Sequence, residues 1–172
     1  MFRTAATSGK PLCAVGKVKE GLSPFILVAM DDAATAALRD LYSDLEIDGR
    51  VLDLGGDGYE HFEVPPDELV VFDGDDKAQL PYADAEFDDV VLLLGAPRKQ
   101  PQETLAEVAR VLKPGGHFVC AFVGGADDAG RVRKLRKYFD GSALFGGAES
   151  DLRTSLTGSG DRLWAVWATR RP

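Results

Sequence analysis

Three short apolar runs, Val51–Leu54, Leu69–Phe72 and Val90–Leu94, each break off at a turn rich in glycine or aspartate, and this punctuation restricts the fold more than any other feature. Continuous aliphatic runs of this length, with no polar alternation, are strands buried on both faces, and such strands belong to parallel sheets. Parallel strands need crossovers. Ala34, Leu38, Leu41 and Leu45 recur on one helical face behind Asp31-Asp32, which begins like a helix cap. Leu105, Val108, Ala109 and Leu112 form a second stripe, stopped by Pro114-Gly115-Gly116. His117–Val123 reads as a further strand and Asp128–Phe139 as a basic helix. The tail reads as two strands, Leu152–Thr157 and Leu163–Thr169, joined across Gly158-Ser159-Gly160-Asp161. Strands alternating with helices and then a terminal hairpin predict an α/β fold: a mainly parallel sheet flanked by helices, with an antiparallel C-terminal edge.

One crossover is too short. Pro65-Pro66 forbids a continued helix, so Tyr59–Val64 has room for about one turn between the first two strands.

At 172 residues the chain is the size of one ordinary domain. Residues 1–21 carry Arg3, Lys10, Lys17 and Lys19 but no apolar signal core, so a flexible N-terminal segment, a single domain over 22–172 and a cytoplasmic location are expected. No run approaches the roughly 18 apolar residues of a membrane span. The net charge of -8 repels phosphate backbones and argues against general nucleic-acid binding, which leaves a small molecule or a protein as partner. Cys13 and Cys120 belong to no CxxC pair, which speaks against a zinc site or a disulfide framework.

Several residues have plain structural readings. Asp73, Asp75 and Asp76 around Gly74 read as a solvated turn rather than a metal site. Arg131, Arg133, Lys134, Arg136 and Lys137 read as a solvated helix face with Val132, Leu135 and Phe139 turned inward, an anionic partner being the alternative. His61 and His117 have no Ser, Cys or acid at a catalytic spacing, and His61 is a candidate base only by its place beside the glycine turn. Trp164 and Trp167 fall on opposite faces of one strand, as packing residues. A nicotinamide-binding turn does not fit, because Gly56-x-Gly58 is followed by His61 instead of a third glycine and by no adequate helix.

Three segments carry a resemblance when taken together. They are Val51-Leu52-Asp53-Leu54-Gly55; Leu80-Pro81-Tyr82 running through Phe87-Asp88-Asp89 into Val90-Val91; and Glu107-Val108-Ala109-Arg110-Val111-Leu112-Lys113-Pro114-Gly115-Gly116. In this order the chain resembles the class I S-adenosylmethionine (SAM)-dependent methyltransferases over roughly residues 25–169. The resemblance implies a three-layer Rossmann-like fold, SAM as cofactor and methyl transfer to a small-molecule acceptor. It places the cofactor on Asp53, Gly55, Gly56, Asp57 and Gly58, with a further carboxylate from Asp73, Asp75 or Asp76. It names no acceptor and no catalytic residue.

The sequence also departs from the family. Aligned on Asp53, the three family glycines fall on Gly55, Asp57 and Tyr59, which puts a carboxylate beside the methionine end of SAM; a shifted register would use Gly56 and Gly58 instead. One αβ unit is missing or shortened. If Leu69–Phe72 is the family's second strand, Asp73 holds the ribose; if the third, Asp75 or Asp76 faces the adenine. The four-residue step from Asp76 to Leu80 favours the third. Weakened SAM binding is therefore expected, and the alternative function is a catalytically inactive methyltransferase-like domain that serves as a binding or regulatory module.

Overall fold

The computed structural model describes residues 30–55, 59–74, 77–93, 101–124, 128–153 and 162–172. The N-terminal segment expected to be flexible, and Gly56, Asp57, Gly58, Asp75 and Asp76, lie outside the described residues.

Helix α1 (Asp32–Asp44) starts where Asp31 accepts a bond from the Ala34 amide at 2.7 Å, so the expected cap is made. Strand β1 (Arg50–Asp53) follows, then a single 3-10 turn (Tyr59–His61) and β2 (Glu68–Val71). Next come β3 (Asp89–Leu93), α2 (Pro101–Val111), β4 (His117–Gly124), α3 (Ala129–Asp140), β5 (Glu149–Arg153) and β6 (Arg162–Thr169). The sheet order is β2-β1-β3-β4-β6-β5. The first four strands pair in parallel, and β6 and β5 close the sheet antiparallel. The expected α/β architecture, with its C-terminal antiparallel edge, is the one observed.

Strand alternation sorts the core into two layers. Leu52, Leu54, Val90, Leu92, Phe118, Cys120 and Phe122 pack with the inner faces of α2 and α3 on one side of the sheet. Val51, Val91, Leu93, Val119 and Ala121 pack with Leu38, Leu41 and Tyr42 of α1 on the other. Val51, Leu92, Leu105, Leu112, Val119 and Asp53 are all buried, as the strand and helix assignments require. Each fully buried Leu or Val contributes about 1.5–3 kcal/mol, which is why helices with otherwise polar surfaces hold to the sheet. Trp164 joins the first layer and Trp167 the second, on opposite faces of β6.

Two readings of the sequence need correction. The last hairpin begins earlier than Leu152–Thr157: β5 is Glu149–Arg153, and residues 154–161 lie outside the described ones. Glu149, Ser150 and Asp151 give no apolar alternation because β5 is an edge strand, where polar residues protect the open side. The second correction concerns Leu69–Phe72, which forms a strand but not one buried on both faces, since Glu68 and Val71 are exposed and Leu69 and Val70 half-buried. β2 pairs residue for residue with β1, Val51 opposite Leu69 and Asp53 opposite Val71. In a doubly wound sheet that position belongs to the second strand, the third lying outside it. Among the described residues nothing lies outside β2, so the lost strand is the third one.

Candidate functional site

From β1 the chain passes to β2 on one side and then crosses back to β3 on the other. At such a reversal the loops leave in opposite directions and open a crevice at the carboxyl ends of the strands. Asp53 closes β1 there and is 2% exposed. Its carbonyl accepts from the Phe72 amide at 2.8 Å, and the Leu54 amide donates to the Val91 carbonyl at 2.8 Å, so β2 and β3 pin the turn from both sides. Tyr42 lies on the α1 side, in aromatic contact with Phe62 at 5.0 Å. Burial raises its hydroxyl pKa strongly, and the Asp53 carboxylate adds to the rise.

Gly55 then takes φ +102, a left-handed conformation that only glycine adopts without strain. A Cβ at that point would meet nothing within 4 Å, so the backbone here borders open space. Asp73 is exposed at the end of β2, one residue after the Phe72 amide bonded to Asp53. Asp53, Gly55 and Asp73 thus come together at the ends of two adjacent strands. Gly56, Asp57, Gly58, Asp75 and Asp76 lie outside the described residues.

The segment before β3 supports this corner. Leu80 donates its amide to Glu107 at 2.9 Å, and Arg110 donates to the carbonyls of Leu80 and Tyr82 at 3.0 and 2.8 Å. The Tyr82 ring stands edge-on between Phe72 at 6.3 Å and Phe87 at 5.0 Å. Burial, Glu86 and Asp73 all raise the Tyr82 hydroxyl pKa, so Asp73 lies within electrostatic reach of this ring. Sequence reasoning missed Glu107 and Arg110 as supports; their signal was a Glu-x-x-Arg spacing on one helix face.

His61 is buried in the 3-10 turn, whose Glu60 carbonyl takes bonds from Arg39 at 3.0 and 2.7 Å. His117 lies at the amino end of β4, where its Nδ1 is 3.1 Å from the buried Asp89, at the opposite end of the sheet from the crevice. The bond with Asp89 raises the His117 pKa against the lowering effect of burial.

The pattern of the methyltransferase-domain family matches residues 33–120, a span that runs from α1 into β4 and contains the whole corner just described. The chain belongs to this family. Its members use SAM, so the domain is SAM-dependent methyltransferase-like, and the left-handed turn beside open space at Gly55 fits that cofactor. No curated protein matches this methyltransferase domain in sequence. Solved structures share its fold. A SAM-dependent methyltransferase of Thermotoga maritima superposes with a TM-score of 0.59 at 16% identity, covering 81% of this chain and 90% of that one. The 1,6-didemethyltoxoflavin-N1-methyltransferase of Burkholderia thailandensis, bound to 1,6-didemethyltoxoflavin and S-adenosylhomocysteine, gives 0.56 at 15% identity over 83% and 80%. A chain from the Haloferax volcanii complex of the Trm112 methyltransferase activator with a methyltransferase gives 0.53 at 18% identity over 82% and 95%. Among the described residues, no helix of the methyltransferase domain is long and apolar enough to cross a membrane.

Proposed function

We propose that this methyltransferase domain binds SAM, with reduced affinity, at the carboxyl ends of β1 and β2 and passes its methyl group to a small-molecule acceptor. The carrying observation is the turn from buried Asp53 to left-handed Gly55, bordering open space at the reversal of strand order. SAM itself would supply the reactive methyl-sulfonium. The chain's task is to bind and align. In this reading Gly55, Gly56 and Gly58 let the backbone approach the cofactor, Asp53 holds the turn, and Asp73 accepts from the ribose hydroxyls. Assigning the ribose to Asp73 follows from β2 occupying the second-strand position. Asp57 is the degenerate position of the motif, and its charge would oppose the methionine carboxylate of SAM. A cytoplasmic place of action is part of the same proposal.

A second reading, an inactive domain that binds a protein partner, is favoured by one feature. Among the described residues β2 is an open edge with Val71 46% exposed, and Val64 ahead of it is 76% exposed. The Haloferax chain, with the same fold, comes from a complex with an activator.

Calorimetric titration with SAM separates the two. Measurable binding that strengthens in Asp57→Gly supports the enzyme reading with Asp57 in the second-glycine register. Binding unaffected by that substitution supports the shifted Gly56–Gly58 register. Absence of binding to either protein leaves the partner-binding module.

A further inference from the structure

The carboxyl end of β4 carries side chains that the cofactor reading does not use. β6 runs antiparallel to β4, so its first residue arrives at the same end: Arg162 is the register partner of Gly124, and Trp164 of Phe122. Two residues apart on one strand, Arg162 and Trp164 share a face of the sheet. That face is the one on which Phe122 is buried and against which Trp164 packs. Helix α3 covers it and brings in Arg131, whose guanidinium carbon lies 4.2 Å from the centre of the Phe122 ring. Two guanidinium-bearing residues therefore stand with two aromatic rings on one face, at the same end of the sheet as Asp53 and Gly55.

A guanidinium carries five N–H donors. Arg131 uses one, through Nη1 to Asp128 at 3.3 Å, and has no other hydrogen-bond or ion-pair partner among the described residues. Its side chain is 40% exposed. Arg162 is exposed and has no such partner among the described residues. The contact with Phe122 and the bond to Asp128 hold the Arg131 fork in place. A guanidinium held in this way is prepaid in side-chain entropy for a two-oxygen anion. The chain as a whole carries a charge of -8, so an anion approaching it is repelled except where cations stand exposed.

We propose that Arg131 and Arg162 form an oxyanion-binding subsite and that the methyl acceptor is a small molecule carrying a carboxylate or phosphoryl group, its body lying beside Trp164. The term acceptor rests on the methyl-transfer reading. The anion binding does not.

The test is an NMR titration of the full chain with benzoate and with inorganic phosphate at constant ionic strength, following the Trp164 indole N–H, assigned through Trp164→Phe. One or both anions shift that signal saturably. Arg131→Gln and Arg162→Gln each weaken binding about tenfold, the loss expected for a charged hydrogen bond, while Arg133→Gln, farther along α3, leaves it unchanged. Arg162 begins a strand at the surface, so Arg162→Gln keeps the fold and preserves the test if Arg131→Gln does not. Preference for benzoate identifies a carboxylate acceptor, and preference for phosphate a phosphorylated one. No saturable shift with either anion overturns the subsite, as does equal weakening by Arg133→Gln. SAM binding in a parallel calorimetric titration, without anion binding, overturns the subsite and leaves the methyltransferase reading intact. Anion binding without SAM binding supports the subsite and removes the methyl-transfer reading.

Discussion

The guanidinium of Arg110 reaches the carbonyl oxygen of Tyr82 at 2.8 Å and so ties α2 to the segment that leads from β2 back to β3. Glu107, 2.8 Å from Arg110, takes the Leu80 amide, and the two side chains together satisfy three backbone groups of a stretch with no regular structure. A loop without its own ladder needs such partners, because unpaired buried backbone groups are costly. The Arg110 bond accordingly lowers the Glu107 pKa.

Replacing Arg110 with Ala is expected to cost about 2–3 kcal/mol, since charged hydrogen bonds to the chain are lost and carbonyls are stranded. Arg110→Lys should recover only part of this, because an ammonium lacks the fork that reaches two carbonyls at once. Denaturant unfolding of the three proteins checks the order wild type, Lys, Ala.

His117 and Asp89 make stability depend on pH. The His117 pKa is raised in the folded protein above its ordinary 6.5, so the stabilisation it provides is complete below that pH. It is lost as pH rises through the folded value. Unfolding midpoints measured across neutral pH should therefore fall toward the alkaline side, and His117→Gln should flatten that slope. An unchanged slope in the variant would exclude this pair as its origin.

Gly116 is close to the backbone of the neighbouring strand: a Cβ there would collide with the Asp88 carbonyl oxygen and press on Leu112. Backbone cannot yield as a flexible side chain does. Gly116→Ala is expected to destabilise by about 1–3 kcal/mol, whereas Gly130→Ala, where the added carbon meets only the Arg133 side chain at 3.9 Å, should be tolerated. Thermal unfolding of both variants gives the contrast.

Asp73 is exposed, so Asp73→Asn should leave stability within about 0.5 kcal/mol. If it holds the ribose, the same change weakens SAM binding about tenfold through loss of a charged acceptor. Asp76→Asn serves as the comparison. A larger loss there than in Asp73→Asn would return the nucleoside to the later carboxylates.

The sequence by itself determined the elements with strong periodicity. The aliphatic runs at Val51 and Val90 form buried strands, the run at Leu69 forms a strand that is only half-buried, the stripe from Leu105 to Leu112 lies on the sheet, and Pro65-Pro66 kept the first crossover to a turn. These follow from local patterns of burial and from backbone chemistry that neighbouring residues already contain. The crevice residues Asp53 and Gly55 were legible for the same reason, as the end of a buried run in a glycine turn. Three features were decided only by tertiary structure. Which family strand Leu69–Phe72 represents depended on its pairing with β1, and pairing order is a non-local property that four aliphatic residues fit in either place. The polar strand β5 exists because β6 offers it a ladder, not because Glu149, Ser150 and Asp151 favour one. The meeting of Arg162 with the end of β4, where Arg131 stacks on Phe122, joins residues far apart in the chain, brought together by the antiparallel register of β6 and the packing of α3 against the sheet.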